Sequence, residues 1–398
     1  MGENGIGAPL LRKEDDRYMR GRGEFVGDIR LDRMMEAAFV RSPLAHARIV
    51  AIRKPHGAEN RVFTSADLIN VKPIRAISTS PVFKPSDWPA LAKGKVRFVG
   101  ECVAVCIAGT RAEAEDLAQR IELDLEELPA VTDMLNARNV DTPLVHDEWA
   151  DNIAFETARD DDIEAVANRA AVMVRREFRT ARQAMVPMEG KGVVARWDNR
   201  LDQLICYSAT QAPHMIRSAL AEVLSLEERQ VRVVPPDIGG GFGYKNPIQP
   251  EEIAVCWLAM RFGQPVRWTE DRHEHLAGSS AHADRVEYIE GAFRKDGSLL
   301  GIRKRFYDNV GAYLRAPEPA CSYRTTGNTT GAYNVRHLEM EVFVVVTNKC
   351  PTGPNRGYGC QQLYFSLERL MDVAAGTLGM DPVEIRRRNL IGKDMFPY

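Results

Sequence analysis

A cluster of glycines between two regular segments is the feature that most restricts how this chain can fold. In PPDIGGGFGYKNPIQPEE, residues 235–252, every position from Gly239 to Gly243 except Phe242 is glycine. Glycine loses more conformational freedom on folding than any other residue, so such a cluster is typical of backbone that approaches another group closely. RQVRVVPPD before it predicts a strand, and PEEIAVCWLAMRFG after it predicts a helix. We expect GGGFGYK, residues 239–245, to form a glycine loop that is either a packing turn or a backbone cradle for an anionic or oxo ligand.

The glycine loop does not match the two common nucleotide-binding patterns. The GxGxxG spacing with a later acidic residue is absent, and Lys245 is not part of a GxxxxGK[ST] motif. The formal net charge is -2, from 53 basic and 55 acidic residues, which does not indicate nucleic acid or an anionic membrane as a partner. No run of about 18 apolar residues occurs, so we expect no membrane span.

The cysteines and histidines give no metal signature. The 7 cysteines are scattered and no CxxC pair occurs, which is typical of reduced, mostly buried thiols in a cytoplasmic protein. The HxH of His273 and His275 lies in the polar segment EDRHEHL, which favours a solvated turn over a metal site. We therefore expect no zinc or iron–sulfur site built by this chain.

The order of the predicted elements indicates a mixed α/β chain of the α+β class. Residues 1–135 combine β-rich segments with one amphipathic helix, TRAEAEDLAQRI, for which Thr110 is the N-cap. Residues 136–152 are rich in turn formers and predict a linker. From 153 to 398, strands alternate with clear helices such as PHMIRSALAEVLSL, QQLYFSLERLMDVAAGTLG and DPVEIRRRNLI, the last with Asp381 as N-cap. The inner face of the first helix is predicted to hold Ala112, Leu117, Ala118 and Ile121.

Two further turn-rich segments carry polar side chains that could act with the glycine loop. YSATQAPHMI places Gln211 between a predicted strand and a predicted helix, where its amide could donate to an oxo group. TNKCPTGPNRGYGCQQ places Arg356 just before a long helix, where a guanidinium could bind an oxyanion. Taken singly, Gln211 is better explained as a turn glutamine and Arg356 as a surface or capping arginine. The segments become informative only in combination.

In combination, these motifs resemble one family along nearly the whole chain. GRGEFVGDI, VRSPLAHARI and FVGECVAVCIAGTRAEAEDLA are similar to the α/β hammerhead domain of the xanthine dehydrogenase and aldehyde oxidase family, the molybdenum hydroxylases. PMEGKGVVARWD, ATQAPH, GGGFGYK, GQPVRW and the segment beginning PNRGYGCQQ are similar to the first part of its molybdopterin-binding domain. The resemblance implies an α/β hammerhead domain at 1–135, a linker at 136–152, and the first half of the molybdopterin cofactor-binding domain at 153–398.

The resemblance also implies roles for the matched cofactor-binding positions. Gln211 would hydrogen-bond an oxo ligand of molybdenum, and the loop glycines would let backbone N–H groups reach the pterin and the metal ligands. Arg356 would lie near the metal, but no side chain of this chain would be a direct ligand of it. The implied cofactor-binding residues are Gln211, Gly240, Gly241, Phe242, Gly243 and Arg356.

Three more positions are implied to contact the substrate. Tyr358 occupies the place of a substrate-stacking aromatic residue, and Arg324 lies at about the sequence distance before Arg356 of a substrate-binding arginine. Asn246 replaces the glutamate that purine-oxidising relatives carry after the loop lysine, which argues against a xanthine-type substrate. The implied reaction is the hydroxylation of an aldehyde or N-heteroaromatic substrate with oxygen from water.

The resemblance covers half of the family's large subunit. The later half carries a GxGE-like motif whose glutamate is the general base, and this sequence has no such motif, so we expect no catalytic residue in this chain. The chain is expected to be a natural half-subunit or a truncated product. We expect a cytosine dinucleotide form of the cofactor. The expected partners are a second molybdopterin-binding half, an FAD subunit and a [2Fe-2S] iron–sulfur subunit, without which the chain would be inactive. Two alternatives stay open: a cofactor-free binding or scaffold homologue, and a reductase of an aromatic thioester.

Overall fold

The computed structural model describes residues 5–282 and 284–398. In chain order its strands are β1 (Met35–Arg41), β2 (Ala47–Arg53), β3 (Val62–Thr64), β4 (Lys95–Val96), β5 (Cys102–Ala108), β6 (Glu122–Glu127), β7 (Ile153–Arg159), β8 (Val172–Thr180), β9 (Gln183–Ala184), β10 (Gly192–Asp198), β11 (Gln203–Ser208), β12 (Val231–Val234), β13 (Val266–Thr269), β14 (Ala281–His282), β15 (Asp284–Phe293), β16 (Leu299–Gly311) and β17 (Leu338–Val346). Its α-helices are α1 (Asp15–Met19), α2 (Arg111–Gln119), α3 (Ile163–Ala167), α4 (Pro213–Val223), α5 (Pro250–Phe262), α6 (Arg272–Gly278), α7 (Ala320–Gly327), α8 (Cys360–Leu378) and α9 (Pro382–Asn389). The mixed α/β class predicted from the sequence is confirmed.

The largest sheet joins the beginning of the chain to its middle. Its seven strands lie in the order β12-β11-β10-β13-β1-β5-β3. The apolar run CVAVCIA forms β5 and is buried at every position, as expected for a strand covered on both faces. Strand β1 pairs antiparallel with β5 and parallel with β13, where Met35 is opposite Val266. One continuous core therefore includes Phe39 from β1 and Trp268 from β13.

A second sheet of five strands, in the order β7-β17-β16-β15-β8, has its own core. Helix α8 packs across β8 and β15. Ile289 and Phe293 of β15 lie in the same buried cluster as Leu367 and Leu370 of α8. The apolar positions of α8 recur at helical spacing, which is why its pattern could be read from the sequence.

Helix α2 begins where the sequence predicts, but its buried face differs at one residue. The Thr110 hydroxyl accepts a hydrogen bond from the backbone N–H of Glu113 at 3.3 Å, and the Glu113 carboxylate accepts the Thr110 N–H at 3.0 Å. The prediction that Ala112 faces inward is wrong, because Ala114 and Leu117 are buried whereas Ala112 is exposed. Three-residue spacing from Leu117 selects Ala114 and leaves Ala112 on the solvent side.

The predicted linker at residues 136–152 packs closely against the rest of the chain. The Asn152 side chain accepts the Val145 N–H at 2.9 Å, and a ring nitrogen of His146 lies 2.8 Å from the Ala312 carbonyl oxygen. The domain ranges given from the sequence remain predictions. The continuous seven-stranded sheet nevertheless requires the regions before and after residues 136–152 to fold against each other.

The remaining predicted helices and the cysteine assignment agree with the structure. The segments quoted from the sequence form α4, α5, α8 and α9, and the Asp381 carboxylate accepts the N–H groups of Val383 at 2.9 Å and Glu384 at 3.0 Å. All seven cysteines are free thiols, five buried and two half-buried. In the described part of the chain, no helix has both the length and the hydropathy to cross a bilayer.

Candidate functional site

The glycine loop connects β12 to α5 and is shaped by close contacts. Gly240, Phe242 and Gly243 have positive φ angles of 92°, 55° and 99°. A Cβ added at Gly243 would lie 2.4 Å from the carbonyl oxygen of Pro354, so a side chain there is excluded by backbone as well as by φ. A Cβ at Gly241 would lie 2.3 Å from Oε1 of Gln211. The glycines are therefore required for the loop to contact two other segments.

Gln211 is held against the glycine loop in one amide orientation. Its backbone N–H donates to the carbonyl oxygen of Lys245 at 2.9 Å, and its Oε1 accepts the N–H of Gly243 at 3.0 Å. Because the N–H of Gly243 is a donor only, the oxygen of the amide must face the loop and Nε2 must face away from it. Gln211 is exposed, so its Nε2 hydrogens are available to an external acceptor.

The segment that carries Arg356 lies directly over the glycine loop. The backbone N–H of Arg356 donates to the carbonyl oxygen of Phe242 at 2.9 Å, and the guanidinium carbon lies 5.0 Å from the centroid of the Phe242 ring. The Gln361 amide at the start of α8 donates to the Arg356 carbonyl oxygen. The structure thus brings together Gln211, the loop glycines, Phe242 and Arg356.

Tyr358 has a strained backbone in a run of three positive φ angles. Its φ of 43° lies between 97° at Gly357 and 85° at Gly359, and non-glycine residues in this region cluster at functional sites. A Cβ at Gly359 would lie 2.3 Å from the Cys321 carbonyl oxygen, which fixes the turn. The Tyr358 hydroxyl is buried without a hydrogen-bond partner among the described residues. Burial raises the pKa of Tyr358 well above its usual value, and the charge of Glu318 adds to the effect.

The three predicted substrate residues do not form one group. The Arg324 guanidinium carbon lies 5.7 Å from the centroid of the Tyr358 ring, so these two residues are neighbours. Asn246 instead follows the glycine loop, where its backbone N–H donates to the Gly243 carbonyl oxygen at 3.0 Å. Among the hydrogen bonds and ring contacts of the described residues, none joins Asn246 to Tyr358 or Arg324.

Sequence reasoning missed the buried groups that support the glycine loop. Glu189 accepts the Gly239 N–H at 2.7 Å and the Lys245 ammonium at 2.6 Å. Glu270 accepts the hydroxyl of Tyr244 at 2.5 Å. Although Glu189 lies in the quoted motif PMEGKG, no property of the sequence alone showed that Lys245 would be fully buried and require a carboxylate.

The HxH segment also belongs to this support, contrary to its assignment as a solvated turn. It forms α6, and His275 is buried, with one ring nitrogen 3.0 Å from the Glu270 carboxylate and the other 2.7 Å from the Met185 carbonyl oxygen. Burial alone would raise the pKa of Glu270, but hydrogen bonds from His275, Tyr244 and the Lys191 N–H hold it below its usual value. The carboxylate is therefore charged and fixed behind the loop.

The described residues of the site present hydrogen-bond donors and close backbone. In residues 5–282 and 284–398, no group of three or more His, Cys, Asp and Glu side chains is placed to hold a metal ion. The site offers the Nε2 donors of Gln211 and close backbone from a glycine loop, and Phe242 is 41% exposed. This donor set fits an anionic, oxo-bearing cofactor bound from an open side.

Comparison with known proteins identifies the relatives of this chain. The sequence profile of the molybdopterin cofactor-binding domain matches residues 145–390. The profile of the aldehyde oxidase and xanthine dehydrogenase a/b hammerhead domain matches residues 20–129. The chain is 35% identical to the nicotine 6-hydroxylase large subunit of Paenarthrobacter nicotinovorans, over 99% of this chain and 49% of that protein. It is 28% identical to the nicotinate dehydrogenase large molybdopterin subunit of Eubacterium barkeri, over 98% of this chain and 89% of that protein.

The fold has a correspondingly similar solved structure. The crystal structure of quinoline 2-oxidoreductase from Pseudomonas putida 86 matches with a TM-score of 0.95 and 38% identity, covering 99% of this chain and 51% of that chain. The chain spans about half the length of the nicotine hydroxylase subunit and of the quinoline oxidoreductase chain. It spans most of the Eubacterium subunit.

Proposed function

Because this chain belongs to the xanthine dehydrogenase and aldehyde oxidase family as a molybdopterin-binding large-subunit chain, we propose that its glycine loop, Gln211 and Arg356 form one wall of a molybdenum cofactor site. The observation that carries this proposal is the orientation of the Gln211 amide. Gly243 holds Oε1, so both Nε2 hydrogens face the open side, where an oxo group would accept them. When bound, the cofactor supplies the oxidation chemistry, a hydroxylation with oxygen from water.

The other loop residues are proposed to bring backbone N–H groups close to the cofactor. Gly241 and Gly243 keep side chains away from Gln211 and the Pro354 carbonyl, and Gly240 leaves room for Pro187 and the Phe242 ring. The Arg356 guanidinium lies over the ring of the loop residue Phe242. Donors fixed before the ligand arrives do not need to reorganise during the reaction, which makes them effective in stabilising developing charge.

The substrate is proposed to be an N-heteroaromatic ring, with an aldehyde as the alternative class. Tyr358 offers an aromatic face held by a strained turn, and Arg324 lies beside it with a positive charge suited to a polar substituent or ring nitrogen. The names of the nicotine, nicotinate and quinoline enzymes support the heteroaromatic class. Asn246 in place of an acidic residue supports a substrate other than xanthine.

We propose that other polypeptide segments or subunits supply the remaining parts of the enzyme. A second molybdopterin-binding half would contribute the general base and the contacts to a cytosine dinucleotide, and partner subunits would carry FAD and [2Fe-2S] clusters. The Eubacterium subunit shows that a relative named as a molybdopterin subunit can have about this length. A cytoplasmic location is proposed because all seven cysteines are free thiols.

Replacing Gln211 tests the proposal. In the assembled complex, Gln211→Ala should lower turnover of an N-heteroaromatic substrate by roughly 10²-fold, the typical effect of removing one preorganised donor, while molybdenum content is retained. Gln203→Ala is the matched control, because the Gln203 amide donates to the Arg229 carbonyl oxygen at 2.9 Å in another part of the sheet. Unchanged turnover in a molybdenum-replete Gln211→Ala complex would exclude Gln211 from the site. Absence of molybdenum from the wild-type complex would instead favour a cofactor-free scaffold.

A further inference from the structure

A single carboxylate oxygen contacts both ends of the glycine loop. Glu189 lies between β9 and β10, outside the loop, and its Oε2 accepts the Gly239 N–H at 2.7 Å and the Lys245 ammonium at 2.6 Å. From these contacts we propose that Glu189 is the positioning residue that holds the glycine loop, and through it the Gln211 amide, in the arrangement that receives the cofactor. The inference rests on the proposed function. It adds Glu189 as a residue that acts on the cofactor site indirectly, through the loop.

The contact at the first end of the loop is reciprocal. While the Glu189 carboxylate accepts the Gly239 N–H, the Glu189 backbone N–H donates to the Gly239 carbonyl oxygen at 3.2 Å. A Cβ added at Gly239 would lie 2.5 Å from the Cβ of Glu189, so glycine is needed for the approach. The segment of Glu189 therefore defines where the loop begins.

The contact at the second end of the loop reaches Gln211 through Lys245. The carbonyl oxygen of Lys245 accepts the Gln211 N–H at 2.9 Å and the Thr210 hydroxyl at 3.0 Å. The Lys245 side chain is fully buried, and among the described residues Glu189 is the carboxylate that pairs with it. A shift of Lys245 would therefore move the backbone of Gln211 as well.

The charge of Glu189 is what keeps Lys245 in this place. Burial lowers the pKa of Lys245, and the Glu189 carboxylate opposes that effect. Without the carboxylate, an ammonium group would remain buried and unpaired, which is strongly unfavourable, so Lys245 would turn towards water. The Oε1 atom of Glu189 is buried without a hydrogen-bond partner among the described residues, so Oε2 makes both contacts to the loop.

Glu189→Gln in the assembled complex is the direct test. The amide keeps the shape of the side chain and one acceptor oxygen but removes the charge that holds Lys245. We expect the backbone amide hydrogens of Gln211 and Gly243 to exchange roughly tenfold faster or more, because loss of one buried charged contact opens the local structure by about that factor. The Mo(V) electron paramagnetic resonance spectrum of the complex should change as well, a signature that a purely structural contact elsewhere does not alter.

The matched control is Glu287→Gln in the five-stranded sheet. Glu287 pairs with the buried Lys304 at 2.9 Å. The substitution Glu287→Gln therefore removes a similar buried ion pair from a different core. It should lower stability without changing exchange at Gln211 or the molybdenum spectrum. An equal change in both variants would overturn the proposal, as would unchanged exchange and spectrum in Glu189→Gln.

A second variant decides the question if Glu189→Gln does not fold. Glu189→Met combined with Lys245→Met removes both charges, so no unpaired buried ammonium remains. It should fold and still show the faster exchange at Gln211. Failure of this double variant to fold, or normal protection in it, would contradict a positioning role. Amide exchange can be measured whether or not molybdenum is present. Failure of the positioning role of Glu189 is therefore distinguishable from failure of the proposed cofactor site.

Discussion

At the scale of single residues, Gly241 and Gln211 form one steric unit. A Cβ at position 241 would lie 2.3 Å from Oε1 and 2.4 Å from Cδ of Gln211, so Gly241→Ala must displace that amide. We expect Gly241→Ala to fold and to lower turnover nearly as much as Gln211→Ala. Because Gln211→Ala removes the clashing atoms, the double variant should be no worse than either single variant.

Steady-state kinetics of the assembled complex measures this coupling. Gly376→Ala is the matched control, because its added Cβ has no heavy atom within 4 Å and it lies in the last turn of α8. There alanine should leave turnover unchanged and raise stability by roughly 0.5–1 kcal/mol. Multiplicative effects of the two site substitutions would show that Gly241 acts independently of Gln211.

The segments with unusual backbone conformations could be predicted from the sequence. The buried side chains that support them could not. The glycine cluster and the family motifs located Gln211 and Arg356, and the structure places both against the loop. Glu189 and His275 were not identified as buried supports of the loop, because the identity of a charged or polar residue does not show whether it will be buried. Their roles depend on long-range contacts, such as that of His275 with Met185, which sequence spacing does not encode.

At the scale of elements, a buried carboxyl group at the entrance to β5 makes stability depend on pH. Burial raises the pKa of Glu101 to about 7 from 4.5, and hydrogen bonds from the Arg97 N–H and the Tyr313 hydroxyl only partly oppose this. Between those two values the folded chain binds more protons than the unfolded chain. The free energy of unfolding should therefore fall as pH rises from about 5 to about 7, by on the order of 1–3 kcal/mol for this group.

Urea unfolding of the chain at a series of pH values measures the dependence. Glu101→Gln should make the slope across this range shallower, since the amide does not titrate, and the slope that remains includes the contribution of Glu318, whose pKa burial also raises to about 7. Glu127→Gln, at an exposed position of β6, is the control and should leave the slope as it is. Equal slopes for wild type and Glu101→Gln would contradict the assignment of the dependence to Glu101.

Whether a segment forms a helix or a strand could be predicted from its local sequence pattern. Which face of helix α2 is buried could not. The caps at Thr110 and Asp381 are local hydrogen bonds between residues close in sequence, so their positions were predicted correctly. One residue of the buried face of α2 was predicted wrongly, Ala112 in place of Ala114, because the alanines at 112, 114 and 118 give no clear periodicity. Packing against β1 and β5 selects the phase, and that information is not local.

At the scale of the whole molecule, the two family regions share one sheet. Strand β1, in the region 20–129, pairs with β13, in the region 145–390. Across this junction the rings of Phe39 and Trp268 meet edge to face with centroids 5.6 Å apart. The sequence suggested separable modules because each motif group is contiguous along the chain, but strand pairing between distant segments cannot be read from contiguity.

Because the junction is a continuous core, the two regions should unfold together. Phe39→Ala removes a buried ring at the junction and should cost roughly 3–5 kcal/mol. Native-state amide exchange should then show the same loss of protection in β5 of the first region and in β10 of the second. Leu367→Ala, in the separate core of α8 and β15, is the control and should lower protection there first. If β5 lost amide protection in Phe39→Ala while β10 kept its full protection, the two regions would be independent folding units. The junction would then not couple their unfolding.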